Sequence, residues 1–275
     1  MKKTLRKAEP YFWILPSVIL MSIFIIVPIG QVFRMAFSKV TKTGKVKELI
    51  GFGNFMDVIG SKEFVIVLQN TIVWTVVVVG LSTLLGFMLA LLLNNEFKGR
   101  KIARVIVVFP WATTLVIQAS AWKFIINTDY GALNTLLKTL GIINHNINWT
   151  PTPEAFFAWE IACGIFVTIP FVCFTTLSGL QSIDASLYEA ATVDGANYWT
   201  RLTKILIPMM ASSFTITTFL TLTNSFKQFD LNIYNTSITK NMWGDGQARA
   251  VIFFIVLVCI SLVQVAINKR NEVEM

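Results

Sequence analysis

Charge is what this 275-residue chain has least of. Asp, Glu, Lys and Arg together make up 14% of it, against about a quarter of an ordinary soluble domain, while 55% of its residues are apolar. That balance excludes an intrinsically disordered chain, which needs the reverse. It also argues against a soluble enzyme, which could not cover so much apolar surface. Histidine occurs once, as His145 in a hydrophilic connection. A Ser-His-Asp or Cys-His arrangement could use only that residue, and nothing places a nucleophile beside it. One histidine does not build a typical zinc site either. The three cysteines, Cys163, Cys173 and Cys259, sit inside apolar runs, with an odd count and no metal-type spacing. A phosphate-binding G-x-x-x-x-G-K-[ST] loop is missing: Gly44-Lys45 runs into Val46 and lacks the upstream glycine. No catalytic residue, metal site or resident cofactor is therefore expected, and the chain is not expected to hydrolyse ATP itself.

What remains is long apolar runs, six of them near the roughly 20 residues that cross a bilayer as helix. They extend from about Tyr11 to Phe33, Phe64 to Leu93, Val105 to Ile126, Phe156 to Leu180, Ile205 to Leu222 and Val251 to Ile267. The first is long for a signal segment and no A-x-A site follows it, so a retained helix is expected. Prolines 16, 28, 110, 170 and 208 fall within or at the edge of these runs, where packed membrane helices tolerate kinks. No series of short alternating segments suggests a β-barrel. The expected fold is all-α: a single polytopic transmembrane domain over residues 1–275 with six helices.

The net charge is +8, but the basic residues flank apolar runs and form no continuous stripe. They read as helix anchors facing an anionic membrane surface rather than as a nucleic-acid interface. Lys2, Lys3, Arg6 and Lys7 precede the first run, and Lys98, Arg100, Lys101 and Arg104 crowd the very short second connection. The two sides of the membrane receive nearly equal totals, so the dense short connection decides, and it points to both termini inside.

Within the spans ionisable residues are scarce. Glu160 and Lys123 lie near span ends, where pairing or snorkelling is the ordinary explanation. Uncharged polar groups are more numerous: Gln69 and Asn70 in the second run, Gln118 and Trp122 in the third, and a Thr-rich fifth run ending in Thr217, Thr218, Thr221, Thr223 and Asn224. Hydroxyls and amides beside aromatic rings suit a neutral polyhydroxyl solute. Hydrogen bonding between helices accounts for the same residues. Asn70, Gln118, Trp122, Thr217, Thr221 and Asn224 are the candidate solute path.

The connection between runs four and five carries the most information. Ser186 followed by Glu189 reads as a capping box that starts a helix. Gly195 is placed to end it, and Asn197 to cap a second. Tyr198, Leu202 and Ile205 fall on one apolar face of that second helix. Helices this short need packing to form. Spacing alone leaves open whether they dock on protein or rest on the bilayer as an amphipathic loop.

Here the residues carry a resemblance. Glu189-Ala190-Ala191, three residues, Gly195, nine residues and then Ile205-x-Ile207-Pro208 resembles the EAA signature of permease subunits in binding-protein-dependent ABC importers. The flanks Leu177-Ser178-Gly179-Leu180-Gln181-Ser182-Ile183 and Asp194-Gly195-Ala196, with Tyr188, resemble the carbohydrate-uptake branch. Leu15-Pro16, Val27-Pro28, Asn54-Phe55, Asn70-Thr71, Gly99-Arg100, Phe109-Pro110, Gly131 and Asn134 extend the likeness over most of the chain, toward the maltose-permease first-subunit type. Ile207 replaces the usual leucine, Asp184 the usual proline, and the stretch after Phe229-Asp230-Leu231 departs.

The resemblance implies a core at about 64–268 and a cytoplasmic coupling loop at about 181–208. In that loop Glu189, Ala190, Ala191, Asp194, Gly195 and Pro208 would pass movement from the ATPases to the spans. It implies import of a sugar or oligosaccharide by alternating access, with a polyol or glycerol-phosphate compound as the alternative within the same machinery. The implied partners are a second, different permease subunit, two ATPase subunits that bind ATP and Mg, an extracytoplasmic solute-binding protein, and the lipid bilayer of a bacterial inner or plasma membrane. A secondary transporter without an ATPase is the competing class, disfavoured by the lack of deep carboxylates.

Overall fold

The computed structural model describes residues 2–225 and 232–273. Helix α1 (Lys2–Ala36) leads into a short antiparallel hairpin of β1 (Ser38–Val40) and β2 (Val46–Leu49), then α2 (Gly53–Gly60) and α3 (Lys62–Asn94). α4 (Arg100–Ala112), α5 (Leu115–Ile125) and α6 (Ala132–Thr139) follow, then the long α7 (Pro153–Gln181). After α8 (Ala185–Val193) come α9 (Tyr198–Arg201), a π-helical turn at Leu202–Leu206, α10 (Ile207–Met209) and α11 (Ala211–Ser225). A second π turn at Asn235–Thr239 precedes α12 (Trp243–Val273). The fold is all-α in its spans, and the hairpin is the one piece of sheet among the described residues.

Four segments are long and apolar enough to cross a bilayer: Trp13–Ala36, Lys62–Asn94, Pro153–Gln181 and Trp243–Ile267. Two bent pairs, Arg100–Ala112 with Val116–Ile125 at 101° and Tyr198–Met209 with Phe214–Thr223 at 65°, bring the number to six if each pair makes one span. Runs three and five, expected as single helices, are therefore broken. In run three the cause is local, since Thr113 and Thr114 both adopt extended backbone just after Pro110. A break inside a membrane frees carbonyls that water cannot reach. Gln118 meets that need by donating to the carbonyls of Pro110 and Thr113, the latter at 3.1 Å, and to Thr113 Oγ1 at 2.9 Å.

Contacts divide the chain into two units, Met1–Thr71 with Lys227–Ile260, and Ile72–Phe226 with Ser261–Met275. In the first, buried Asn54 ties the end of α1 to the hairpin by donating to Ala36 O (2.7 Å) and Ser38 O (2.9 Å). Trp243 Nε1 donates to Lys42 O across the hairpin turn, where Gly44 takes the left-handed backbone the turn requires. Arg249 is buried over the Phe64 ring, bonded to Asn232 and 3.8 Å from Glu63, whose carboxylate also receives Lys240 at 2.7 Å.

The second unit holds the core that positions the site. Ala90, Leu93, Cys173, Leu177, Leu180, Leu202, Leu206 and Met210 form one buried cluster. In lipid the hydrophobic effect gives helices no reason to associate, and close packing of small residues supplies it instead. Gly86 and Gly164 show how close: a Cβ on Gly86 would lie 2.7 Å from Val172, and one on Gly164 2.8 Å from the Trp74 ring. α7 is started by Thr152, which accepts from Ala155 N, with Pro153 at the first helical position. Ahead of it, buried Asn134 organises the connection from α5. Its amide donates to Thr128 O and Ile147 O, while Oδ1 accepts from Ile147 N and Trp149 Nε1.

Gly86→Ala should lower stability by about 1–3 kcal/mol through overpacking of the α3–α7 contact, read as a reduced thermal midpoint in detergent. Adding Val172→Ala should recover most of the loss.

Candidate functional site

The connection from α7 to α11 folds as two short helices held by identifiable caps. Asp184, not Ser186, begins α8: its carboxylate accepts from Ser186 N at 2.9 Å. The expected capping box of Ser186 and Glu189 is therefore corrected, because Asp184 two residues earlier supplies a charged acceptor to the free N–H groups. These bonds hold the exposed Asp184 carboxyl below the ordinary carboxylate range, the bond from the Ser186 backbone contributing most. Gly195 ends α8 with φ of +76°, and Ala196 N reaches back to Ala191 O at 2.9 Å. Asn197 Oδ1 accepts from Thr200 N at 2.8 Å and starts α9, as expected. Arg201 then donates to Thr192 Oγ1 at 3.0 Å and clamps α9 to α8.

Which face is buried differs from the expectation. Leu202 belongs to the buried side, but Tyr198 is 53% exposed. The π turn inserts one residue, with Ile207 N bonding to Leu202 O, so that Leu202, Leu206 and Met210 descend together into the core cluster. Of the signature residues, Ala191 is buried, whereas Glu189, Ala190, Asp194, Gly195 and Pro208 are exposed. The side chain of Tyr188 lies outside the described residues. Around them Val193 is 88% exposed and Trp199 69% exposed, with Tyr198 and Trp199 packed edge to face. An apolar surface this concentrated, on helices otherwise well tied down, suits contact with another protein or with the membrane surface. Of the anchoring residues Leu202 was foreseen, whereas Leu206 and Met210 were not, because a period of 3.6 does not foresee a π turn; the Arg201–Thr192 bond joins two helices and has no signal in spacing.

The solute-path candidates separate. The side-chain nitrogen of Gln118 is spent on the broken carbonyls at the α4–α5 bend, while its buried Oε1 has no hydrogen-bond partner. Trp122 packs on Trp159 and Phe166 of α7, with ring centroids 6.0 and 5.8 Å apart. Thr217 and Thr221 are buried one turn apart on the same side of α11. Asn70 lies exposed on α3 in the first unit. The side chain of Asn224, like residues 229–231, lies outside the described residues. Lys123 sits in the last turn of α5, where a cation suits the helix end.

Up to six spans and an anchored helix pair that presents an apolar face outward define a polytopic membrane protein. Residues 82–272 match the family described as binding-protein-dependent transport system inner membrane component, and the chain belongs to that family. It is thus the membrane-spanning transport component of such a system. The chain is 32% identical to a probable ABC transporter permease protein of Brucella abortus, with 96% of this chain and 97% of that protein covered. It is also 32% identical to a trehalose/maltose transport system permease protein of Thermococcus litoralis, with 94% and 93% covered. A crystal structure of a bacterial ABC transporter involved in the import of the acidic polysaccharide alginate contains a chain of the same fold. It has a TM-score of 0.80 at 25% identity and covers 98% of both chains.

Replacing Asp184 by Ala should speed amide exchange across the first turn of α8, while Asn at this position should preserve protection. The native carboxylate cap is complete at neutral pH and survives through the ordinary carboxylate range, since bonding lowers its proton affinity. Only as the pH falls through that depressed value should the native protein lose the charge-assisted part of this protection and approach Asp184→Asn, since the protonated carboxyl keeps a neutral acceptor.

Proposed function

We propose that this chain carries a sugar or oligosaccharide inward by alternating access, driven by two ATPase subunits that bind ATP and Mg and dock on the α8–α9 loop. The supporting observation is the loop itself. Leu202, Leu206 and Met210 bind it to the core of the spans, and Val193, Tyr198 and Trp199 offer an uncovered apolar face a few residues away. A push on the outer face has a rigid route inward, because the Arg201–Thr192 bond and the caps at Asp184 and Asn197 prevent the helices from absorbing it locally. Glu189, Ala190, Asp194, Gly195 and Pro208 are the contact residues of this reading, with Ala191 keeping the pair closely packed.

The solute class rests on the trehalose/maltose relative and on hydroxyl groups at Thr217 and Thr221 of the second unit, with Trp122 as the aromatic surface of the path. The same reading places a second, different permease subunit beside this one and a solute-binding protein on the outer side. It leaves both termini in the cytoplasm, since the basic cluster Lys98–Arg104 shares their side.

Glu189→Lys or Gly195→Asp should leave membrane insertion intact and reduce uptake to background, with ATP hydrolysis no longer coupled to it. Uptake at the native rate in both variants would refute the docking role. Cysteines introduced at Thr217 and Thr221 should react with a small thiol reagent during turnover and be protected by a saturating maltodextrin. Protection by a polyol but not by the sugar would move the solute class.

A further inference from the structure

A second feature of the same unit has no part in the coupling loop. Between α4 and α7 runs a groove of about 290 Å³. Val108 and Trp111 line it from α4, and Phe171, Phe174 and Ser178 from α7. It has room for several waters at about 30 Å³ each but offers them almost no polar partner, so an apolar occupant suits it.

The helix that forms one wall also carries the basic cluster. On α4, Lys101, Arg104, Val108 and Trp111 follow one another at intervals of three or four residues and so share one side. At 1.5 Å per residue Lys101 stands about 15 Å below Trp111 along the axis, which is half of the roughly 30 Å hydrocarbon core. Arg104 shares the Leu93 carbonyl with Arg100, at 3.4 and 2.7 Å, and its Nε is buried without a hydrogen-bond partner. Lys98 and Lys101 are exposed. No carboxylate pairs with Lys98, Lys101 or Arg104 among the described residues. One helical side thus offers positive charge at the headgroup level and an apolar furrow one leaflet deep above it.

We propose that this groove binds one anionic phospholipid, its phosphate facing Lys101 and Arg104 and one acyl chain lying along Val108, Trp111 and Phe174. The charge sequence selects the occupant. A helix of another subunit would fill the apolar part but would leave the cations at its foot uncompensated, whereas an anionic lipid satisfies both.

The test is native mass spectrometry of the permease extracted with its bound subunits from bilayers of phosphatidylcholine containing cardiolipin or phosphatidylglycerol. The native chain should retain an anionic lipid under activation that strips phosphatidylcholine. Lys101→Gln should weaken retention by about fivefold, the effect of one cation near a membrane surface. Val108→Trp, which fills the furrow, should abolish it while the subunit composition in the same spectra stays intact. Should Val108→Trp disturb assembly, Ser178→Phe tests the other wall. Equal retention in Lys101→Gln and in the furrow-filling variants would overturn the proposal. So would efficient cross-linking of a cysteine at Ser178 to another subunit, which would identify the groove as a protein seam.

Discussion

Everything the α8–α9 loop can do depends on three side chains that are not on its surface. Leu202, Leu206 and Met210 are buried with Leu93, Cys173 and Leu180, so the loop is a continuation of the bundle core and not an appendage. Two helices of nine and four residues would be marginal alone. Packed this way, and closed by the Arg201–Thr192 bond, they can hold an apolar face toward solvent without collapsing onto it. Rigid attachment beside an uncovered surface is what a transmitted movement requires.

The broken spans show the same economy in the membrane interior. A continuous helix satisfies its own backbone, and a bent one has to borrow donors. At the α4–α5 bend Gln118 supplies them. The donor end of a buried amide that looks like a solute ligand in sequence is thus occupied by the chain itself, and only its Oε1 is left without a partner. Thr217 and Thr221 sit on a helix whose adjoining break, near Met210, is closed by backbone bonds from Met210 N to Leu206 O and from Phe214 N to Met210 O. Their hydroxyls are thus not needed to repair that break.

Legibility in the sequence followed the length of the signal. Long apolar runs located the four continuous spans and the two bent pairs, because a bilayer imposes one period and one length. Gly195 and Asn197 were readable as caps, since each meets a local backbone need that few residue types can meet. Asp184 was overlooked although the same logic applies: the Ser186–Glu189 spacing offered a familiar pattern, and a charged acceptor two residues earlier outcompeted it. The buried face was expected at Ile205 and lies at Leu206, because the π turn from Leu202 breaks helical periodicity from within; Tyr198, one turn before it, is exposed instead beside Trp199. Asn134 and Arg249 were invisible as hubs, since their partners lie in other elements.

The π turn at Leu202–Leu206 sets a phase as well as a direction. One residue added to a helix turns everything beyond it by about 100°, so the side of the loop that faces outward and the side that grips the core are indexed separately along a single strand of chain. A side-chain change on the outward surface therefore leaves the grip of Leu202, Leu206 and Met210 in register, provided that the count of residues between Arg201 and Ile207 is kept.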